Sequence, residues 1–292
     1  MTTPSPFLLR PSSFIPPPSS FRVWWTILRI SFEERLVYRG DFALGTLMRF
    51  LPIVTQIFLW GAVFASRAAT HPNDPEIAGY TSQSIIAYYL LTTITRAFSS
   101  MPGLASGIAQ DIRDGTVKKY LIQPIDMLGF LMLNRVAHKL VYYIVAAGPF
   151  VLVFFLCRGF FSGWPGASIM AAYLLSLVMA FLLGFLLEAT IGMIGFWLLE
   201  VDSLLFVYML FSFFCSGHMF PIDMLPGVWG DLVRLLPLQY LAYFPAAVFQ
   251  GKITGPALIW GLWIQFAWIM FFLAASRVAF HFGVRRYSGF GG

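Results

Sequence analysis

Two charges lie deep inside apolar sequence, Arg96 and Glu188. A charge at membrane depth usually pairs with an opposite charge or faces water. The chemistry open to these residues is therefore electrostatic, an Arg–Glu pair made directly or through water. Both spans that carry them run inward. Arg96 lies eleven residues before Gly107, and Glu188 twelve before Glu200. At a helical rise of 1.5 Å per residue both sit about 17 Å from the inner boundary, so their depths match. The alternative is that Arg96 snorkels inward and Glu188 is protonated.

Covalent chemistry finds no support. No G-x-x-x-x-G-K-[ST] loop occurs, so the chain has no phosphate cradle of that kind for ATP hydrolysis. No H-E-x-x-H occurs, and His71, His138, His218 and His281 are scattered. The run Cys215-Ser216-Gly217-His218 brings a serine close to a histidine. Residues two apart on a helix do not face each other, however, and a turn fits the run better. Cys157 and Cys215 sit in apolar segments without metal-ligand spacing and read as buried, unpaired thiols. Neither a metal site nor a resident cofactor is expected.

The elements that must position Arg96 and Glu188 are membrane helices. The 292 residues are 59% hydrophobic and 11% charged, with a mean hydropathy of +0.77. A soluble domain carries roughly 25% charged residues. The apolar excess falls in runs near ~20 residues, the length that crosses the hydrocarbon as a helix. Spans are expected at 44–66, 81–106, 138–157, 168–199, 203–219 and 256–278, which makes an all-α polytopic membrane protein with six spans. Arg96 and several Thr and Ser make the second the least apolar. Phe21 to Arg39 reads as an amphipathic helix lying along the membrane surface. Arg22, Thr26, Arg29 and Glu33 form its polar stripe, with Trp24, Trp25, Leu28 and Phe32 away from it. Residues 1–20 read as a disordered cytoplasmic tail, rich in Pro and Ser, whose apolar cluster Phe7-Leu8-Leu9 is too short for a signal peptide. Residues 21–292 then form one transmembrane domain.

The net charge of +6 does not indicate a nucleic-acid partner, because the cations cluster between spans as orientation signals do. Arg10, Arg22, Arg29, Arg35, Arg39, Arg113, Lys118, Lys119, Arg135, Lys139, Arg277, Arg285 and Arg286 fall on one side; only Arg67, Arg158, Arg234 and Lys252 fall on the other. Both termini are therefore expected in the cytoplasm, with a large cytoplasmic loop at 107–137 and a large outer segment at 220–255.

The cytoplasmic loop carries Gln110, Asp111, Arg113, Asp114, Gly115, Lys118, Lys119, Gln123, Pro124 and Asp126. Gly115 suits a helix stop, and Val117, Tyr120 and Leu121 share one face of a short helix that Pro124 ends. Such a helix can press into a groove on another protein. A solvated loop whose cations only set topology accounts for the pattern equally well. The outer segment, with Gly217, Pro221, Pro226, Pro237 and Gly251, is too apolar for a free loop and too broken by proline for a span. It reads as one or two short helices dipping into the outer leaflet, either a lid over a pathway or a structural cap.

These stretches resemble the permeases of ATP-binding cassette exporters of the type-2 branch. Phe21–Arg39, including Arg22, Arg29, Glu33, Arg35 and Arg39, is similar to that family's elbow helix. The run Asp114-Gly115…Leu121…Gln123-Pro124-Ile125-Asp126 resembles its coupling region, and Ser216-Gly217…Phe220-Pro221…Leu225-Pro226…Leu236-Pro237-Leu238…Gly251 its outer re-entrant signature. The ending Arg285-Arg286-Tyr287-Ser288 also looks familial. The resemblance covers residues 21–292 and implies a second permease, identical or paralogous, and separate ATPase subunits that bind ATP and Mg at the cytoplasmic face of a bacterial inner membrane. It also implies export of amphipathic or hydrophobic compounds past Met209, Phe211, Phe213 and Phe214, which could instead form a lipid-facing aromatic face. A non-transporting membrane scaffold and an ion-coupled carrier remain alternatives.

Overall fold

A computed structural model describes residues 21–37, 39–122, 125–161, 163–198 and 201–287, with side chains described for these except at 21–22, 35–47 and 49–50. Its elements among these residues are helical. In chain order they are α1 (Phe21–Val37), α2 (Arg39–Thr70), α3 (Ser82–Ser99), α4 (Leu104–Arg113), α5 (Lys118–Ile122), α6 (Met127–Leu156), α7 (Ala167–Gly192), α8 (Asp202–Cys215), α9 (Gly227–Leu235), α10 (Tyr243–Phe249) and α11 (Gly255–Arg286). A short 3₁₀ turn, Met193–Phe196, extends α7.

Four helical stretches among the described residues are long and apolar enough to cross a membrane: Leu51–Thr70, Met127–Leu156, Ala167–Phe196 and Gly255–Arg286. The other two expected spans differ. The second, expected unbroken over 81–106, stops at Ser99. Ser100 is extended and Gly103 is left-handed at φ 72°, so the chain breaks and restarts as α4. The fifth, expected over 203–219, is the 14-residue α8. It stops because Gly217, at φ 76°, takes the left-handed conformation that closes a helix.

The third span begins at Met127 rather than 138, which shortens the expected 107–137 loop. Asp126 caps α6 by accepting the Gly129 N–H at 2.7 Å. The sequence leaves Arg135 in the loop and Lys139 at the inner edge of the span, both as orientation signals, but in the fold both meet backbone carbonyls. The Arg135 guanidinium donates to Pro102 O at 2.9 Å. The buried Lys139 amine donates to Ala97 O and to Ser100 O, the carbonyls that α3 leaves open at its end.

The core forms where α3 and α4 run along α7 in the same direction. Glycines make this seam possible. A Cβ at Gly184 would collide with Ser99 O; at Gly192 it would lie 2.7 Å from Ala105 O, and at Gly195 3.1 Å from Ala109 Cα. Close backbone approach at small residues is how membrane helices gain packing without a hydrophobic driving force. Along α6 packs α1, with Trp24 against Gly129 and the Ser31 hydroxyl donating to Asn134 Oδ1 at 2.7 Å.

Candidate functional site

At one end of the bundle, α4 and α5 form an arm. The apolar face of α4, with Leu104, Ala105, Ile108, Ala109 and Ile112, is buried on α7 and its 3₁₀ extension. Gly115, at φ 77°, reverses the chain after α4. Asp111 ties the turn together: it accepts from the Thr116 hydroxyl at 2.6 Å and from the Lys119 amine at 3.0 Å. Burial pulls the Lys119 pKa down, but the contacts with Asp111 and Tyr120 together outweigh it and the pKa is raised. Val117 and Tyr120 turn inward, Tyr120 against the Phe130 ring. Leu121, expected on the same face, instead points outward beside Ile122, which is 82% exposed. Gln110, Arg113, Asp114, Lys118 and Lys119 are exposed around this apolar tip. Gln123 and Pro124 lie outside the described residues.

Asp126 lies inward of this surface. Both its carboxylate oxygens accept from the Arg277 guanidinium of α11, one pair at 3.0 Å, so it ties the arm's end to the last helix. On α1, Arg29 and Glu33 form an exposed ion pair at 2.8 Å. The side chains of Arg22, Arg35 and Arg39 lie outside the described residues.

Glu188 faces the break between α3 and α4. Its carboxylate accepts the Met101 N–H at 3.4 Å and lies within electrostatic reach of Arg96, Arg135 and Lys139. The matched-depth argument does not carry over, because the segment from Arg96 to Gly107 is not one helix. Arg96 lies in the last turn of α3, and Ser99 sits level with Gly184, one turn before Glu188. Arg135 and Lys139 entered the sequence reading only as orientation signals; their spacing of four residues on one helix face was the available sign of more.

At the opposite end, the segment between α8 and α11 is folded onto the bundle, buried at 221–222 and 237–248 and exposed along much of α9. Pro221, Pro237 and the whole of α10 through Val248 are buried, whereas Pro226 and Gly251 are exposed. Gly217 presents its carbonyl to the Tyr88 hydroxyl, and the Tyr243 N–H donates to Ser216 O at 2.9 Å. Asp223 is the hub: it accepts from Tyr80 at 2.9 Å, Tyr243 at 2.7 Å and Arg234 at 3.0 Å. Lys252 donates to Gly79 O at 3.0 Å and lies over the Tyr80 ring. Burial lowers its pKa, opposed by Asp223 and Glu76. Asp223 escaped the sequence reading, although an acid within so apolar a segment was a signal.

Met209, Phe211, Phe213 and Phe214 on α8 are 57%, 59%, 40% and 49% exposed. α8 packs lightly on the rest of the chain and leaves large apolar side chains open on several faces. Among the described residues no group of His, Cys, Asp or Glu is placed to hold a metal ion.

Comparison with known families gives one finding. The family model described as "ABC-2 family transporter protein" matches residues 50–291, more than half of the chain. No curated protein matches.

Proposed function

The chain belongs to the ABC-2 family of transporter proteins, and on that premise we propose that it is one half of an ATP-driven exporter. Membership makes it a multi-pass membrane component that works with ABC ATPase subunits and is not itself the ATPase. In our reading the chain crosses a bacterial inner membrane six times, with α3 and α8 as the second and fifth spans and both termini in the cytoplasm. Residues 21–292 are one permease domain, and α1 is its elbow helix. ATP and Mg bind to the partner ATPase.

The observation that carries the docking is the arm. A rigid turn, braced by Asp111 and seated on α7, presents Leu121 and Ile122 to the outside within a ring of charges. Burying an apolar knob and its charged rim on a partner is the ordinary anatomy of a protein interface. Gln110, Arg113, Asp114, Lys118 and Lys119 form the rim.

The second permease meets α8. Its 14 residues span about 21 Å, short of the hydrocarbon thickness, and its large apolar side chains stand open. Met209, Phe211, Phe213 and Phe214 then line the pathway between the two permeases, which suits amphipathic or lipid-like compounds. The 216–254 segment is the re-entrant cap at its outer end, supported by the burial of α10. Glu188 and Arg96 pair across α7 and α3, directly or through water, which lowers the cost of holding either charge at depth.

Co-expression with the ATPase encoded nearest to it, and purification through a tag on this chain, tests the reading. Capture of an active ATPase that Gly115→Trp uncouples is the expected result. A well-folded chain that captures no ATPase refutes it.

A further inference from the structure

We propose that α11 is a rod linking the α4–α5 arm to the cap, held at one end by the Asp126–Arg277 pair and at the other by Phe244 resting on Gly261. The proposal rests on the reading that the arm docks an ATPase and adds a route by which docking reaches the cap.

The inner grip is specific. Asp126 follows the arm, four residues after Ile122. It is fixed from one side by the Gly129 N–H and from the other by the Arg277 guanidinium. Two parallel N–H···O contacts fix orientation as well as distance, which a single contact to a lysine would not. A displacement of the arm therefore pulls on α11 at Arg277.

The rod is continuous. Gly255–Arg286 is one α-helix whose only proline is at its start. Sixteen residues separate Gly261 from Arg277, about 24 Å of helix and most of the hydrocarbon thickness. Four residues on from Gly261, the Gln265 amide donates to Ser176 O of α7 at 3.1 Å, which holds the rod against α7 near its outer end.

The outer grip depends on glycine. At Gly261 the Phe244 ring lies directly on the helix backbone, where a methyl group would overlap ring atoms Cε2 and Cζ. Phe244 belongs to α10, whose Tyr243 reaches Asp223 and Ser216 and so the rest of the cap. Close-packed contacts transmit a displacement rather than absorb it. One helix, α11, thus meets Asp126 at the end of the arm through Arg277 and the cap at Gly261, the physical contiguity that coupling between distant sites requires.

The test measures backbone hydrogen exchange at residues 239–249 in the complex with its ATPase in lipid nanodiscs, without nucleotide and with ATP plus vanadate. Wild type should show a nucleotide-dependent change in this segment. Arg277→Met removes the grip, and Asp126→Asn does so while keeping an oxygen for the Gly129 N–H. Each should cut that change at least fivefold, and Arg277→Lys should restore part of it. If Arg277→Met does not fold, Asp126→Asn decides. The proposal is overturned if either folded variant keeps the full response, or if wild type, with ATPase bound, shows none. Failure to capture any ATPase refutes instead the permease reading on which the proposal rests.

Discussion

Gly192→Ala puts one methyl group into the seam between α7 and α4. The added Cβ would lie 2.7 Å from Ala105 O, 2.9 Å from Ile108 Cβ and 3.0 Å from Ala105 Cα. Two of those atoms are backbone, so no rotamer change relieves the contact. The helices must part by roughly 0.7 Å before it reaches ordinary van der Waals range. A gap of that size forfeits about a quarter to a half of each neighbouring contact well, and here the neighbours are the buried Leu104, Ile108 and Ile112. Overpacking of this kind costs about 1–3 kcal/mol, set against a gain of about 1 kcal/mol from replacing a helical glycine. The net effect is a loss of up to about 2 kcal/mol, or a fall in Tm of up to about 5 °C. Thermal unfolding of the detergent-purified chain, followed by tag fluorescence, measures it. Gly107→Ala is the control: the same substitution on the open face of α4, with nothing within 4 Å of the new methyl group, should leave Tm unchanged or raise it. Equal Tm values for the two variants would refute the close-seam account.

Asp223→Asn should loosen the cap. Three donors lose a charged acceptor, a cost of about 1.5–3 kcal/mol, read as faster hydrogen exchange at 237–249; unchanged exchange would remove Asp223 as the hub. Reversing Arg96 or Glu188 alone should lower yield and stability, and Arg96→Glu combined with Glu188→Arg should recover a measurable part. Harmless single reversals with no rescue by the double swap would end the pairing reading. Ile122→Asp should weaken ATPase capture more than tenfold without lowering Tm, because that side chain is exposed in the chain alone; equal loss of Tm would make its effect a folding one.

Much of the scaffold was legible in the sequence because hydrophobic runs are long and charges punctuate them. The first, third, fourth and sixth expected spans overlap helices long enough to cross a membrane, and Gly115 was recognisable as the turn it makes. Helix boundaries were less legible, because satisfaction by distant partners is invisible in a linear reading. Arg135 looked like the end of a loop and Lys139 like the edge of a span, yet carbonyls at the end of α3 and in the α3–α4 connection hold both within α6. The break after Ser99 escaped notice for the same reason. Asp126 was read as part of the docking run because it closes the Gln123-Pro124-Ile125-Asp126 stretch, and its pairing with Arg277, 151 residues away, is not visible there. An acid in so apolar a segment marked Asp223 locally, but its three donors, Tyr80, Arg234 and Tyr243, come from separate elements that a linear reading does not bring together.

In the proposed function the arm between α3 and α6 seats this chain on an ABC ATPase. Photo-crosslinking tests it most directly: a photoreactive residue at Ile122 in the full complex in nanodiscs, with the same residue at Trp229 of α9, 68% exposed at the other end of the chain, as comparison. A crosslink to the ATPase is expected from position 122 and none from position 229. A complex that holds its ATPase yet crosslinks from neither position, or only from 229, would contradict it.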